Sequence, residues 1–422
     1  MKKLCAIFAL RMLLTGCGIS SDNETEKLTI ENTSSEAYES TAYFSEASAG
    51  NTQDAAMSPS ESTAFASETS IETQNIAMSS PESAVHTSET SAEDIDTAIS
   101  SPEESSQIDD RDNREPTERD MYTVNTKISD VINDPVFGQY GRLIFPVNSG
   151  YYSGDTLGEL SLTWYNNIDP DKTVEIVNFL ADRAAAGEQV FFDIYTEAEK
   201  AADPAKKNTG LFFFKGNENA PFAVCNAGGG FAYVGAMHDS FPHALELSKR
   251  GYNAFALIYR PGAQTACEDL ARAISFIFEH AEELEVDTDC YSLWGGSAGA
   301  RMAAYLGSYG PSAFGGNELP GPGTVVMQYT GYSEYTENDP PTYVCVGESD
   351  GIASWRTMEG RLERMSALGI DTEFHKYPGI GHGFGLGTGT VAEGWIEDAI
   401  TFWEKHMQAG RRSAVTELRN KN

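Results

Sequence analysis

The 422 residues are short of basic side chains, of cysteine and histidine, and of long apolar runs, and each shortage removes a class of function. Against 63 Asp and Glu stand only 29 Lys and Arg, a formal net charge of -34. A surface that acidic repels phosphate backbones, so nucleic acid is excluded as a partner and neutral substrates are favoured over polyanionic ones. The six Cys and seven His are scattered, with none of the spacings of a zinc site, so neither a metal nor any other cofactor is expected. Cys225, Cys290 and Cys345 fall in or at apolar strand candidates and Cys267 opens a helical pattern, which suits buried free thiols better than a disulfide framework. Past the N-terminus no apolar run approaches the roughly 18 residues that would span a bilayer.

The charge is unevenly spread. Residues 1–20 carry +3, residues 21–120 carry -20 and residues 121–422 carry -17. Met1-Lys2-Lys3 and the apolar stretch to Leu14 read as a signal peptide, interrupted by Arg11. Leu14-Thr15-Gly16-Cys17 resembles the bacterial lipoprotein box, which implies a chain held outside the cytoplasm, on the cell membrane, through a lipidated Cys17. From residue 18 to 120 the composition is Ser, Thr, Glu and Ala with few large apolar residues, too little to form a core, so a disordered acidic linker is expected. Ala56-Met57-Ser58, Ala77-Met78-Ser79 and Ala98-Ile99-Ser100 mark a repeat within it. Its units have no apolar face to stack, so it reads as duplicated spacer, with a random-coil span of about 50 to 60 Å.

The folded part is expected over 121–410, with 121–188 as an N-terminal extension and 411–422 as a polar C-terminal tail. Its most informative feature is Gly295-Gly296-Ser297-Ala298-Gly299, between the apolar run Tyr291-Ser292-Leu293-Trp294 and the helix-forming Ala300 to Leu306. A serine that attacks a carbonyl must project from a tight strand-to-helix turn, and glycines on either side let the backbone close on itself. Two further apolar strands follow, Thr324–Tyr329 and Pro341–Val346, and the second runs into Gly347-Glu348-Ser349-Asp350-Gly351. A last strand, Thr372–Tyr377, leads to Gly381-His382-Gly383-Phe384. Nucleophile, acid and base therefore come in the order Ser297, Asp350, His382. Glu348 competes as the acid and His238 as the base, whereas His375 sits mid-strand, His243, His280 and His406 fall in or beside helical patterns, and His86 lies in the linker. Upstream, the short strand Phe222–Asn226 runs into Ala227-Gly228-Gly229-Gly230, a loop suited to presenting backbone N–H groups to a developing oxyanion. Phosphate binding there is disfavoured, because no Lys-Ser/Thr follows and no acidic residue stands at dinucleotide-site spacing.

With these elements together the chain resembles the α/β-hydrolase esterases of the esterase/lipase family, in the arm holding hormone-sensitive-lipase-like enzymes and bacterial acetyl-xylan and feruloyl esterases. The resemblance spans roughly 190–406 and rests on Ala227 to Gly230, Gly295 to Gly299, Asp350 and His382-Gly383-Phe384. The family's glycine motif usually begins with His, where this chain has Ala227. The resemblance implies acyl transfer through a Ser297 ester, with Gly229, Gly230 and Ala298 as oxyanion donors and a small ester or acylated carbohydrate as substrate. A serine peptidase on the same fold and a catalytically inactive binding protein are the alternative readings. Oligomeric state is not legible in the residues.

The strand and helix pattern implies an α/β protein with a mostly parallel sheet and helices on both faces. Further strands are expected at Gln189–Tyr195, Leu211–Lys215 and Ala254–Tyr259, and helices at His243–Arg250 and Cys267–Leu284. Asp169 reads as an N-cap and Pro170 as the first residue of a helix that ends at Gly187. Tyr151, Tyr152, Trp164 and Tyr165 in the extension are either core, the wall of an acyl pocket or a surface that stacks on a sugar.

Overall fold

The computed structural model describes residues 119–421 apart from 166 and 167. The signal peptide, Cys17, His86 and all but the last residues of the expected linker lie outside the described residues. In chain order the elements are α1 (Ile128–Ile132), β1 (Tyr152–Ser153), β2 (Ser161–Leu162), α2 (Pro170–Ala185), β3 (Phe191–Phe192), α3 (Glu197–Ala202), β4 (Gly210–Phe214), β5 (Ala220–Asn226), α4 (Ser240–Lys249), β6 (Asn253–Ile258), α5 (Ala263–Glu279), α6 (Ala281–Leu284), β7 (Val286–Gly296), α7 (Ala298–Tyr309), β8 (Thr324–Gln328), β9 (Thr342–Gly347), α8 (Trp355–Ala367), β10 (Thr372–Tyr377) and α9 (Trp395–Lys421).

Eight strands make one sheet in the order β10-β9-β8-β7-β5-β6-β4-β3. The six from β10 to β6 run parallel, and β4 and β3 close one edge antiparallel. The central strands are buried along nearly their whole length, as expected for continuous apolar runs sandwiched between helices. Leu293 pairs with Val325 and Trp294 with Val326, so neighbours along β7 face opposite layers. Val325 lies against Gly307 of α7, whereas Trp294 meets Trp395 and Trp403 of α9. α5 packs beside α7, and α4 reaches α9 through the edge-on contact of His243 with Trp395. The sheet is thus covered on both faces.

Some elements differ in extent from the pattern-based expectation. The Gln189–Tyr195 stretch pairs only through Phe191 and Phe192, because it is an edge strand and the chain turns away into α3, whose Thr196 caps the first turn. β7 begins five residues before Tyr291, since Val286 and Asp287 pair with Ala220 and Pro221 across a bulge, and its polar first half carries no apolar signal. The expected Cys267–Leu284 helix is two, broken at His280. α2 starts as expected, with the Asp169 carboxylate accepting from the Asp171 and Lys172 amides. The extension docks on this helix: Asn178 exchanges two 2.9 Å hydrogen bonds with the Tyr122 backbone, and Arg119 bonds both Asn178 and Asp182. α9 runs on to Lys421, through the polar stretch that composition set apart.

The loops after β5, β7, β8, β9 and β10 all leave from the carboxyl edge of the sheet, where an open α/β sheet gathers ligand-facing groups. They hold, in turn, the three glycines, Ser297, Tyr329, Asp350 and His382.

Candidate active site

Ser297 stands between the end of β7 and the start of α7 at φ 51° and ψ -114°, outside the regions open to most non-glycine residues. The turn is possible because its flanks approach backbone directly. A Cβ on Gly295 would lie 2.5 Å from the Ala300 nitrogen, and one on Gly299 would lie 2.5 Å from the Asn226 carbonyl carbon. The Ser297 amide is held by the Gln328 carbonyl at 2.9 Å, which ties the turn to β8.

Asp350 and His382 reach this serine from two other loops. Asp350 Oδ1 accepts from the Ile352 and Ala353 amides, each at 2.8 Å, and this fixes the carboxylate; its Oδ2 lies 2.8 Å from His382 Nδ1. His382 Nε2 lies 3.0 Å from Ser297 Oγ. A carboxylate only accepts, so Nδ1 carries the proton and Nε2 is left to accept from the serine hydroxyl. The acid and base loops are also laced together, the Ser349 amide donating to the Ile380 carbonyl at 2.9 Å. The Asp350 side chain is buried and that of His382 nearly so, which keeps the pair from water on most sides.

The rival candidates stand elsewhere. Glu348 points away to Lys376, at 3.5 Å. His238 is buried, with Nε2 2.7 Å from the Gly383 carbonyl, and burial pushes its pKa down. His375 pairs with Glu373 on β10.

The glycine loop lies against the serine: a Cβ on Gly228 would come within 2.9 Å of Ser297 Cβ. The Gly228 amide donates to Asp239 Oδ2 at 2.7 Å, whereas the amides of Gly229, Gly230 and Ala298 find no acceptor among the described residues. Ala298 opens α7, so its free N–H also sits at the positive end of a helix. Free amides flanking a serine in this way can receive negative charge developing on a carbonyl oxygen.

The extension contributes the wall beside the loop. Trp164, at φ 73° and half exposed, lies close enough to Gly230 that a Cβ there would be 3.0 Å from its ring. Tyr233 supports it, with Tyr151 stacked on Tyr233 at 4.7 Å between centroids. Tyr152 packs instead on Phe145, and Tyr165 is buried. Two residues of the site carry no recognisable pattern in the sequence, Asp239 and Tyr329, and Tyr165 is marked there only as one of the aromatics of the extension. Asp239 stands at the N-cap of α4, ahead of the helix expected from His243, Tyr329 reads as the end of a strand, and Tyr165 reads as either core or pocket wall.

Among the described residues no group of three or more His, Cys, Asp or Glu side chains is arranged to hold a metal ion, and none of Cys225, Cys267, Cys290 and Cys345 is in a disulfide. No described helix is long and apolar enough to cross a membrane.

The family model BD-FAE matches residues 213–318, about a quarter of the chain, a span that holds the glycine loop and the Ser297 turn but ends before Asp350 and His382. No curated protein matches the chain. Among solved structures it is similar to MGS-M1, an α/β hydrolase from a Medee basin deep-sea metagenome library, with 20% identity, 52% of this chain and 97% of that one covered, and a TM-score of 0.44. It is also similar to an acetyl ester-xyloside bifunctional hydrolase from Caldicellulosiruptor lactoaceticus, with 20% identity, coverage of 51% and 95%, and a TM-score of 0.45. A third is Thermogutta terrifontis esterase 2 phosphorylated by paraoxon, with 20% identity, coverage of 46% and 85%, and a TM-score of 0.39. The strand order, the single antiparallel edge and the strand-turn-helix at Ser297 give the chain the α/β-hydrolase fold, and within it residues 213–318 match the BD-FAE model.

Proposed function

We propose that the protein is a serine carboxylesterase. The observation that carries the reading is the unbroken line from Asp350 through His382 to Ser297, with hydrogen-bond distances of 2.8 and 3.0 Å, beside three backbone amides that have no acceptor among the described residues. Ser297 Oγ attacks the ester carbonyl while His382 Nε2 takes its proton, and Asp350 holds the imidazole in the tautomer this requires. The amides of Gly229, Gly230 and Ala298 receive the oxyanion. As the tetrahedral intermediate collapses, the alcohol leaves with the proton from His382, and Ser297 keeps the acyl group. Water, deprotonated by the same imidazole, then releases the acid and restores the serine.

The substrate is a small ester or an acylated carbohydrate; the half-exposed Trp164 face beside Gly230 supports the carbohydrate, since a flat apolar surface suits a sugar ring. The acidic surface supports neutral rather than anionic esters. Cys17 is the lipid anchor in this reading, residues 18–120 are the tether, and the enzyme works outside the cytoplasm. Turnover of a nitrophenyl ester series and of acetylated xylan by the wild type and Ser297→Ala tests the assignment. The wild type hydrolyses at least one of them and the variant loses at least about three orders of magnitude in kcat with an unchanged melting temperature. A variant that keeps a tenth of the activity removes Ser297 from the role.

A further inference from the structure

We propose that Asp239 is a positioning residue that holds the oxyanion loop, its buried carboxylate bound at once by the Gly228 amide and by the phenols of Tyr165 and Tyr329. The inference rests on the esterase reading above and adds to it the device that aims the loop. The Asp239 side chain is fully buried, and it stands at the N-cap of α4 without capping its own helix. Its oxygens go elsewhere: Oδ2 accepts from Gly228 N at 2.7 Å and from Tyr165 Oη at 2.7 Å, and Oδ1 accepts from Tyr329 Oη.

A carboxylate is costly to bury without donors. Here all three donors belong to the site or its wall. Gly228 is the residue ahead of the two proposed oxyanion amides, so holding its N–H fixes the peptide plane from which Gly229 and Gly230 turn at φ 122° and 61°. Tyr329 follows β8 and sets its ring edge-on to His382 at 5.0 Å. Tyr165 comes from the N-terminal extension, and glycines vacate the space it fills: a Cβ on Gly228, Gly235 or Gly383 would lie under 3.0 Å from it. The preceding residue, His238, packs its ring at a tilt on Tyr165, 4.6 Å between centroids, and bonds the Gly383 carbonyl, next to His382. One dipeptide therefore ties down the glycine loop with its second residue and the histidine loop with its first. This gives the extension a function, since it supplies the phenol that completes the carboxylate's shell.

A purely structural carboxylate and a positioning one differ in what their loss does to transition-state binding. Asp239→Asn keeps the shape but loses the charge-assisted bonds, and kcat for p-nitrophenyl acetate is expected to fall by about tenfold or more while KM moves by less than about threefold. Affinity for a trifluoromethyl ketone, whose adduct with Ser297 carries the oxyanion, falls by the same factor as kcat. Asp239→Ala, if it folds, extends both losses to about a hundredfold or more, the scale of a misplaced oxyanion donor. If it does not fold, Asp239→Asn decides alone, and Tyr165→Phe, which removes one donor and leaves the carboxylate, gives a smaller loss in the same direction. A folded Asp239→Asn with wild-type kcat and wild-type ketone affinity overturns the proposal, as does a variant whose only change is a lower melting temperature. Wild type and Ser297→Ala are run alongside: if the wild type hydrolyses no ester, or Ser297→Ala keeps its turnover, the esterase reading fails and the inference falls with it. If those two behave as expected and Asp239→Asn is indifferent, the inference alone fails.

Discussion

Gly299→Ala is a single-methyl test of how the site is built. The added Cβ would lie 2.5 Å from the Asn226 carbonyl carbon and 2.7 Å from the Ala227 oxygen, with the Asn226 oxygen closer still, where ordinary contact begins at 3.4 Å. The obstacle is backbone, so no rotamer change relieves it. Nor is the end of β5 free to retreat: Asn226 is in register with Leu257 on one side and Gly295 on the other, and its side-chain amide donates to the Trp294 carbonyl at 2.9 Å. Overpacking by a methyl usually costs about 1 to 3 kcal/mol, and a clash with clamped backbone belongs at or above the top of that range. For a domain of this size about 3 kcal/mol lowers the melting temperature by about 5 °C. The glycine loop hangs from Asn226, so turnover of p-nitrophenyl acetate is expected to fall by more than about tenfold as well. Gly321→Ala is the control, because a Cβ there meets nothing within 4 Å and the residue is exposed. Calorimetry and a spectrophotometric assay on both variants decide the matter. A Gly299→Ala protein that melts within about 2 °C of wild type with turnover within about twofold would show that the turn has room the structure does not allow.

The pH dependence of stability follows from His243, whose pKa burial pushes down to about 4, so that between pH 6.5 and 4 the unfolded chain binds the proton the folded one refuses. Stability is therefore complete above about pH 6.5 and declines by about 3 kcal/mol as pH falls to 4, His238 acting in the same direction; His243→Phe should flatten that slope in denaturant titrations, and an unaltered slope refutes the assignment. Glu246, lowered to about 2 by Lys172, Lys249 and Arg250 against its burial, loses its contribution only below the ordinary carboxylate range, so the two windows separate. Arg361→Ala leaves Asp339 buried without its 2.5 Å ion pair and should cost about 3 to 5 kcal/mol by chemical denaturation, a loss under 1 kcal/mol being incompatible with the pairing. Cys17→Ser should move the protein from the membrane to the soluble fraction or block its maturation, and unchanged fractionation would rule out the lipid anchor.

Those parts of the site that are local in the chain were legible in the residues, because each is made by a strand, a glycine turn and a helix start within a few positions. The run from Tyr291 through Ser297 to Leu306, the glycines after Asn226, and the turns holding Asp350 and His382 all follow from apolar periodicity and the places where glycine interrupts it. Element ends were less legible, since pairing decides them: the polar first half of β7 is a strand only because Ala220 and Pro221 lie beside it, and Gln189 to Tyr195 is mostly not one because it is an edge. What only the tertiary structure decided is the shell around Asp239. Its donors are separated from it by 11, 74 and 90 positions, and no period or spacing links them. A buried carboxylate is viable only where enough donors converge, and which donors converge is settled by the packing of the extension, the sheet edge and the glycines that leave Tyr165 its space.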